Sequence, residues 1–276
     1  MSSLSFGLSF GSLIKDKKHF DQVLECKPEI IEIPYLEHND LQSIIELCKK
    51  NCIKSALHYP SYYSLELTPF SITEPDSLCT KKNLELIQST LTDFHNLEYL
   101  VLHFPSKINT FKDYNRIKND TSIILDTISK IQNKFGTKII IENVYLDKAY
   151  SFPNNYLDYF KNSKDAFMCL DIGHAHTLDN SSIEDFLENL GARIFSAHFY
   201  NTPRNKTSEF IPGNHYPLSD YGNYTDGDWI NLKEISKKMR LLPNLKYVIL
   251  EVDRNSLNPE DSIVKQYTMM KNYFNC

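Results

Sequence analysis

The chain has 276 residues, 41% of them hydrophobic and 12% aromatic, so it can bury a large core as one domain spanning 1–276; α/β barrels commonly reach about 250 residues. Its formal charge of −5 offers no broad attraction for nucleic acid or an anionic membrane. No uncharged apolar run nears the ~20 residues needed to span a bilayer, no signal peptide opens the chain, and its six cysteines form no paired framework, which together point to a reduced, cytoplasmic protein.

Taken in order, the first candidate strand lies near 4–9, followed by helical periodicity near 17–26. A second strand near 29–34 leads to a helix near 40–52, with Asn39-Asp40 as its N-cap cluster. The third strand, near 54–58, is followed by a long connection of about 59–80, then by a helix carrying Leu84, Ile87, Leu91 and Phe94 on one face. The fourth strand, near 98–103, precedes a helix whose Ile117, Ile124, Ile128 and Ile131 share a face. Strands near 138–142 and 166–171 flank a helix near 153–161. A helix near 181–190 follows, with Asn180-Ser181-Ser182 as its cap cluster and Glu184 placed for a capping box on Ser181. The seventh strand, near 194–199, opens a second long connection of about 200–230 that includes Tyr216, Asp220, Tyr221, Tyr224, Asp226 and Trp229. A helix near 231–241, a strand near 247–252 and a helix near 258–273 close the chain. Eight strands alternating with helices predict parallel βαβ units, and a single eight-stranded parallel (β/α) TIM barrel is the expected fold. An open doubly wound sheet is disfavoured, because no glycine-rich phosphate turn follows the first strand.

The strand ends carry the chemistry. Apolar runs terminate in Ile141-Glu142, Leu170-Asp171, Ala197-His198 and Leu250-Glu251, on four consecutive strands. In a parallel barrel those ends open onto one face. Three carboxylates packed together raise one another's pKa, and a divalent cation relieves that repulsion. A mixed oxygen and nitrogen donor set suits Mn²⁺, Mg²⁺, Co²⁺, Fe²⁺ or Zn²⁺. His58 and His103 end the third and fourth strands beside Glu142. Phe6, Phe10, Tyr35, Tyr59, Phe104 and Phe199 lie in or next to strands and read better as core than as an apolar wall for a ligand. The Tyr62-Tyr63 pair falls in the third loop, where it could serve as a lid.

The strings Ile141-Glu142-Asn143, Leu170-Asp171-Ile172-Gly173-His174-Ala175-His176 and Ala197-His198 resemble the xylose-isomerase-like barrels, a superfamily of sugar isomerases and epimerases and of apurinic endonucleases of the endonuclease IV type. The resemblance runs from the first strand to Glu251. It implies that Glu142, Asp171, His198 and Glu251 hold one catalytic metal, and that His174 and Arg204 face the substrate as in the epimerase branch. It also implies that His58 and His103 either bind a second zinc sharing Glu142 or hydrogen-bond substrate. His174 and His215 match two ligands of a third zinc in the endonuclease branch. The Asp-x-His motif that completes that site reads Gly213-Asn214-His215 here, leaving Glu209 or Asp220 to replace the missing carboxylate. His215 is otherwise expected to contact substrate, and His176 to support the loop.

Three functions follow. The first is isomerisation or epimerisation of a small carbohydrate-like hydroxy-ketone, sugar phosphate or polyol, with Glu142 and Glu251 exchanging a proton across the substrate. The second is zinc-dependent phosphodiester hydrolysis with two or three zinc ions, which the acidic net charge disfavours. The third is a non-catalytic metal-binding barrel. A homo-oligomer is compatible with each.

Overall fold

Strands and helices alternate as the periodicity predicts, in a computed structural model that describes residues 4–10, 17–34, 36, 38–59, 75–76, 78–103, 114–145, 150–178, 182–207, 209–218, 228–253, 257 and 262–275. The strands are β1 (Ser5–Ser9), β2 (Ile30–Pro34), β3 (Lys54–Tyr59), β4 (Tyr99–His103), β5 (Lys138–Glu142), β6 (Phe167–Asp171), β7 (Ile194–Phe199) and β8 (Tyr247–Leu250). Each pairs in parallel with the next, and β8 pairs with β1 to close the cylinder. The helices are α1 (Lys17–Glu25), α2 (His38–Lys50), α3 (Leu78–Asp93), α4 (Tyr114–Phe135), α5 (Pro153–Phe160), α6 (Ile172–His176), α7 (Ile183–Leu190), α8 (Leu232–Met239) and α9 (Ile263–Asn275). This is a TIM barrel.

Successive residues of a strand face opposite sides, so each strand serves two cores. Ile31 and Ile33 of β2, Leu57 of β3 and Leu100 and Leu102 of β4 join the larger cluster, which the helices cover with residues such as Ile87, Leu91, Ile124, Ile128 and Phe186. A smaller cluster fills the barrel interior: Ile30, Ala56, Tyr99, Val101, Ile140, Cys169, Phe195, Tyr247 and Ile249. Phe6, Tyr59 and Phe199 belong to the outer core, as does Phe10; Tyr35, Tyr62, Tyr63 and Phe104 lie outside the described residues.

Two steps of the chain beyond this apolar floor bring the next inward residue on six of the eight strands or just past their ends. From Ile30 that residue is Glu32, from Ala56 His58, from Val101 His103, from Ile140 Glu142, from Cys169 Asp171 and from Ile249 Glu251. Strand β7 reaches the same layer by a different route. Its pairing with β6 jumps from Met168↔Ile194 to Cys169↔Ser196, so Phe195 is one residue in excess. Phe195 points inward, and unbroken alternation would turn Ala197 and Phe199 inward after it. The bulge resets the phase: Ala197 and Phe199 go to the outer core, and His198 enters the barrel opposite Asp171.

The caps differ from expectation in two places. Helix α2 begins at His38, so Asn39 and Asp40 sit within its first turn, where Asp40 complements the helix dipole. The capping box of α7 is Ser182 with Asp185: the Ser182 hydroxyl accepts from the Asp185 N–H at 3.2 Å, and the Asp185 carboxylate accepts from the Ser182 N–H at 2.7 Å. The alternative on Ser181 falls on a residue outside those described. Helix α6 was not anticipated. It starts directly from β6 because the Asp171 side chain caps it, accepting from the His174 N–H. The connection after β7 carries two isolated bridges, Asn201↔Tyr216 and Pro203↔Trp229, so part of it is ordered backbone. Asp220, Tyr221, Tyr224 and Asp226 lie outside the described residues, as do 60–74 of the third loop.

Candidate metal centre at the barrel mouth

Four consecutive strands deliver Glu142, Asp171, His198 and Glu251 to one point. His198 Nδ1 lies 2.9 Å from Glu251 Oε2, 3.4 Å from Glu142 Oε2 and 3.7 Å from Asp171 Oδ2. Asp171 and His198 are fully buried, and Glu142 is nearly so. Asp171 Oδ1 is saturated by the Tyr200 hydroxyl at 2.8 Å and the His174 N–H at 2.7 Å. Its other oxygen, Oδ2, is buried without a hydrogen-bond partner among the described residues, and so is His198 Nδ1. Two orphaned donor atoms facing each other inside a ring of carboxylates fit a divalent cation, because unpaired buried polar atoms are otherwise costly. Glu251 is steadied on the far side by the Ser9 hydroxyl at 3.3 Å.

A second group shares Glu142. His58 Nε2 and His103 Nε2 lie 2.7 Å apart, and Glu142 Oε2 is 3.3 Å from the first and 2.8 Å from the second. A third group comprises Asp171, His174 and His215, each offering a ligand atom within 4.8 Å of the others. His174 Nδ1 donates to the Asn143 carbonyl at 2.9 Å, and His215 Nδ1 to the Glu251 carbonyl at 2.9 Å. That leaves the lone pair of each neutral ring on Nε2. The His215 ring stacks on Tyr200 at 4.0 Å, and Tyr145 lies against His174 at 4.9 Å. Asp171 thus joins the two histidines of the third group where the Gly213-Asn214-His215 string lacks a carboxylate; Glu209 is exposed.

The electrostatics follow from this crowding. Burial alone would raise the carboxylates, but His103 and His198 hold Glu142 well below its ordinary value. His174 and His198 likewise lower Asp171, and His198 lowers Glu251. Burial would in turn lower the imidazoles. Glu142 and Glu32 instead push His58 up to about 10, and Asp171 and Glu142 push His174 up to about 9.

Arg204 is not brought into this group: its Nε pairs with Asp228 Oδ2 at 3.3 Å. His176 supports the loop as expected, with Nε2 2.6 Å from the Asp228 carbonyl. Sequence reasoning missed Glu32, a fully buried carboxylate of β2 that touches both His58 and His198. The signal was present in Ile30-Ile31-Glu32-Ile33, a lone charge inside an apolar strand and in phase with the inward Ile30. Tyr200 and Asn143 were also missed; Asn143 ties β5 to β6 by accepting from the Asp171 N–H at 2.8 Å and donating to its carbonyl at 2.9 Å.

Gly173 makes the Tyr200 contact feasible, since a Cβ there would run into the Tyr200 ring. Gly173→Ala is expected to cost about 1–3 kcal/mol by overpacking and to weaken metal binding about tenfold through Asp171. Thermal denaturation and metal titration, with Tyr200→Phe as a comparison that removes the hydroxyl without crowding, check both effects.

The chain matches the family model described as xylose isomerase-like TIM barrel over residues 20–273 and belongs to that family. It is 23% identical over 204 residues to an uncharacterized protein of Methanocaldococcus jannaschii, covering 72% of this chain and 78% of that one. Among solved structures it is similar to a D-tagatose 3-epimerase-like protein at 20% identity (TM-score 0.73, covering 99% of this chain and 97% of the other). It is also similar to an IOLI protein with a bound zinc atom at 16% (TM-score 0.74, 98% and 96%). An AP endonuclease, family 2, from Brucella melitensis aligns at 10% (TM-score 0.70, 98% and 99%). Identities of this size establish the shared barrel. No described helix is long and apolar enough to cross a membrane.

Proposed function

We propose that this protein is a divalent-metal-dependent isomerase or epimerase of a small carbohydrate-like hydroxy-ketone, with the metal held by Glu142, Asp171, His198 and Glu251. The observation that carries the reading is the convergence of three carboxylates on His198 Nδ1, a group in which two of the four donor atoms are buried with no hydrogen-bond partner among the described residues. The similarity to a D-tagatose 3-epimerase-like protein and to a zinc-bound IOLI protein supports it. A cation held there would supply positive charge to offset the negative charge that develops on substrate oxygens, an effect worth several kcal/mol. The protein's own part is proton transfer. Glu142 and Glu251 reach the mouth from strands three apart in the ring, so each can address one face of a substrate carbon lying between them. In this reading His174 and His215, on the Asp171 side, take hydrogen bonds from substrate hydroxyls on Nε2, the nitrogen left free when Nδ1 donates to a backbone carbonyl.

A second reading, phosphodiester hydrolysis with two or three zinc ions, is favoured by the His58, His103 and Glu142 group and by the likeness to an AP endonuclease. The acidic net charge and the pairing of Arg204 with Asp228 count against a nucleic-acid track. Two measurements separate the readings: elemental analysis of the purified protein, and NMR in D₂O with ketopentoses, ketohexoses and their phosphates. About one metal per chain with loss of an α-proton signal is the expected result. Two or three zinc ions, nicking of an abasic duplex and no exchange would overturn it.

A further inference from the structure

We propose that Glu32 is a positioning residue that fixes the proton on two imidazoles at once, so that His198 turns its lone pair toward the metal position and His58 turns its own toward the adjoining His103 and Glu142. The proposal rests on the reading of the mouth as a metal site. Glu32 enters the barrel from β2 and is fully buried. Its Oε1 lies 2.8 Å from His198 Nε2 and 3.0 Å from His58 Nδ1. Its Oε2 accepts the Tyr99 hydroxyl at 2.8 Å. An ionised carboxylate only accepts, so both ring nitrogens facing Glu32 must carry hydrogen.

A neutral imidazole has one N–H, and the hydrogen bond made by one nitrogen decides what the other can do. With Nε2 protonated, His198 keeps its lone pair on Nδ1, the atom ringed by Glu142, Asp171 and Glu251. With Nδ1 protonated, His58 keeps its lone pair on Nε2, the atom beside His103 Nε2 and Glu142 Oε2. The two rings lie nearly parallel, 5.2 Å between centroids and 29° between planes, clamped at one edge by the same oxygen. β3 and β7 are not neighbours in the sheet, so Glu32 bridges them through the barrel interior. Tyr99 belongs to the apolar floor, and its hydroxyl engages the second oxygen from that layer, which fixes the rotation of the carboxylate. With both oxygens engaged, Glu32 supports ligands and is not one itself. Outer carboxylates of this kind orient ligating histidines and raise their basicity.

The test uses the full chain with Zn²⁺ as the probe. In wild type, ¹⁵N-histidine NMR of the zinc form should show His198 protonated at Nε2 and His58 at Nδ1. Calorimetric titration of Glu32→Gln should show zinc affinity reduced about 10- to 100-fold, with mixed ring forms in its spectrum. Tyr99→Phe should keep both ring forms and lose less affinity. Should Glu32→Gln fail to fold, the wild-type spectrum decides alone. Rings protonated on their mouth-facing nitrogens, zinc bound to Glu32 itself, or a folded Glu32→Gln with wild-type affinity and ring signals would overturn the role of Glu32. Wild-type protein that binds no zinc would overturn the metal reading beneath it.

Discussion

Glu142→Gln and Glu251→Gln are expected to lower kcat by at least about 100-fold each, the low end of what a positioned acid or base contributes. Glutamine keeps the shape and an oxygen donor, while its amide cannot take up a proton at neutral pH. KM should change far less, because the amide still fills the space of the carboxyl. The two variants should also differ from each other. With one base on either face of the substrate carbon, Glu142→Gln should abolish solvent exchange starting from one epimer and retain it from the other, and Glu251→Gln should show the reverse. NMR of each epimer in D₂O reads this directly. Equal loss from both epimers would point to a single base, and undiminished turnover in either variant would remove that residue from the chemistry. Metal titration of both variants guards against a simpler explanation, since both carboxylates also lie within 3.4 Å of His198 Nδ1.

The second large effect concerns protons and metal. In protein stripped of metal, burial disfavours charge on His58, His174 and His198, yet their neighbours raise all three from 6.5: Glu142 and Glu32 take His58 to about 10, Asp171 and Glu142 take His174 to about 9, and Cys169 with Glu251 and Glu32 holds His198 well above its ordinary value. Such groups contribute stability fully below pH 6.5 and lose it as the pH climbs through 9 and 10. Glu32 behaves oppositely. Burial would raise it, but His198 and His58 lower it from 4.5 to about 2, so its contribution is full above pH 4.5 and disappears as the pH falls toward 2. The two windows overlap between pH 4.5 and 6.5. Stripped protein is expected to melt highest there and about 5 °C or more lower at pH 9. Metal reverses the trend, because it takes the nitrogen that a proton would hold. Affinity should rise about tenfold per pH unit for each proton displaced. Calorimetry of stripped and metal-saturated protein from pH 5 to 9 checks both arms. Affinity independent of pH would contradict the His198 assignment.

Much of this was legible in the sequence. The eight strand positions, the parallel barrel and the four strand-end side chains followed from apolar runs ending in ligand-type residues, because a parallel barrel gathers such ends on one face. Two things were less visible. Glu32 lies in mid-strand, two residues before Pro34, and attention to strand ends passes over it although its inward phase matches that of Ile30. The bulge at Phe195 has no glycine or proline to mark it; only the pairing with β6 reveals that His198 faces inward because one residue is in excess. The pairing of Arg204 with Asp228 was not legible either. Asp228 lies 24 positions further along, in a connection whose path no short-range pattern dictates.

The closed ring of pairings has a consequence for how such a protein can change over generations. Glu142, Asp171 and His198 each sit on a strand gripped from both sides, with Glu251 one residue past the end of β8, and deleting one residue below any of them would turn that whole file of side chains to face the helices. Insertions in the connections at the mouth disturb none of those files. New substrates are therefore reachable by rewriting loops while the reactive layer stays where the cylinder put it.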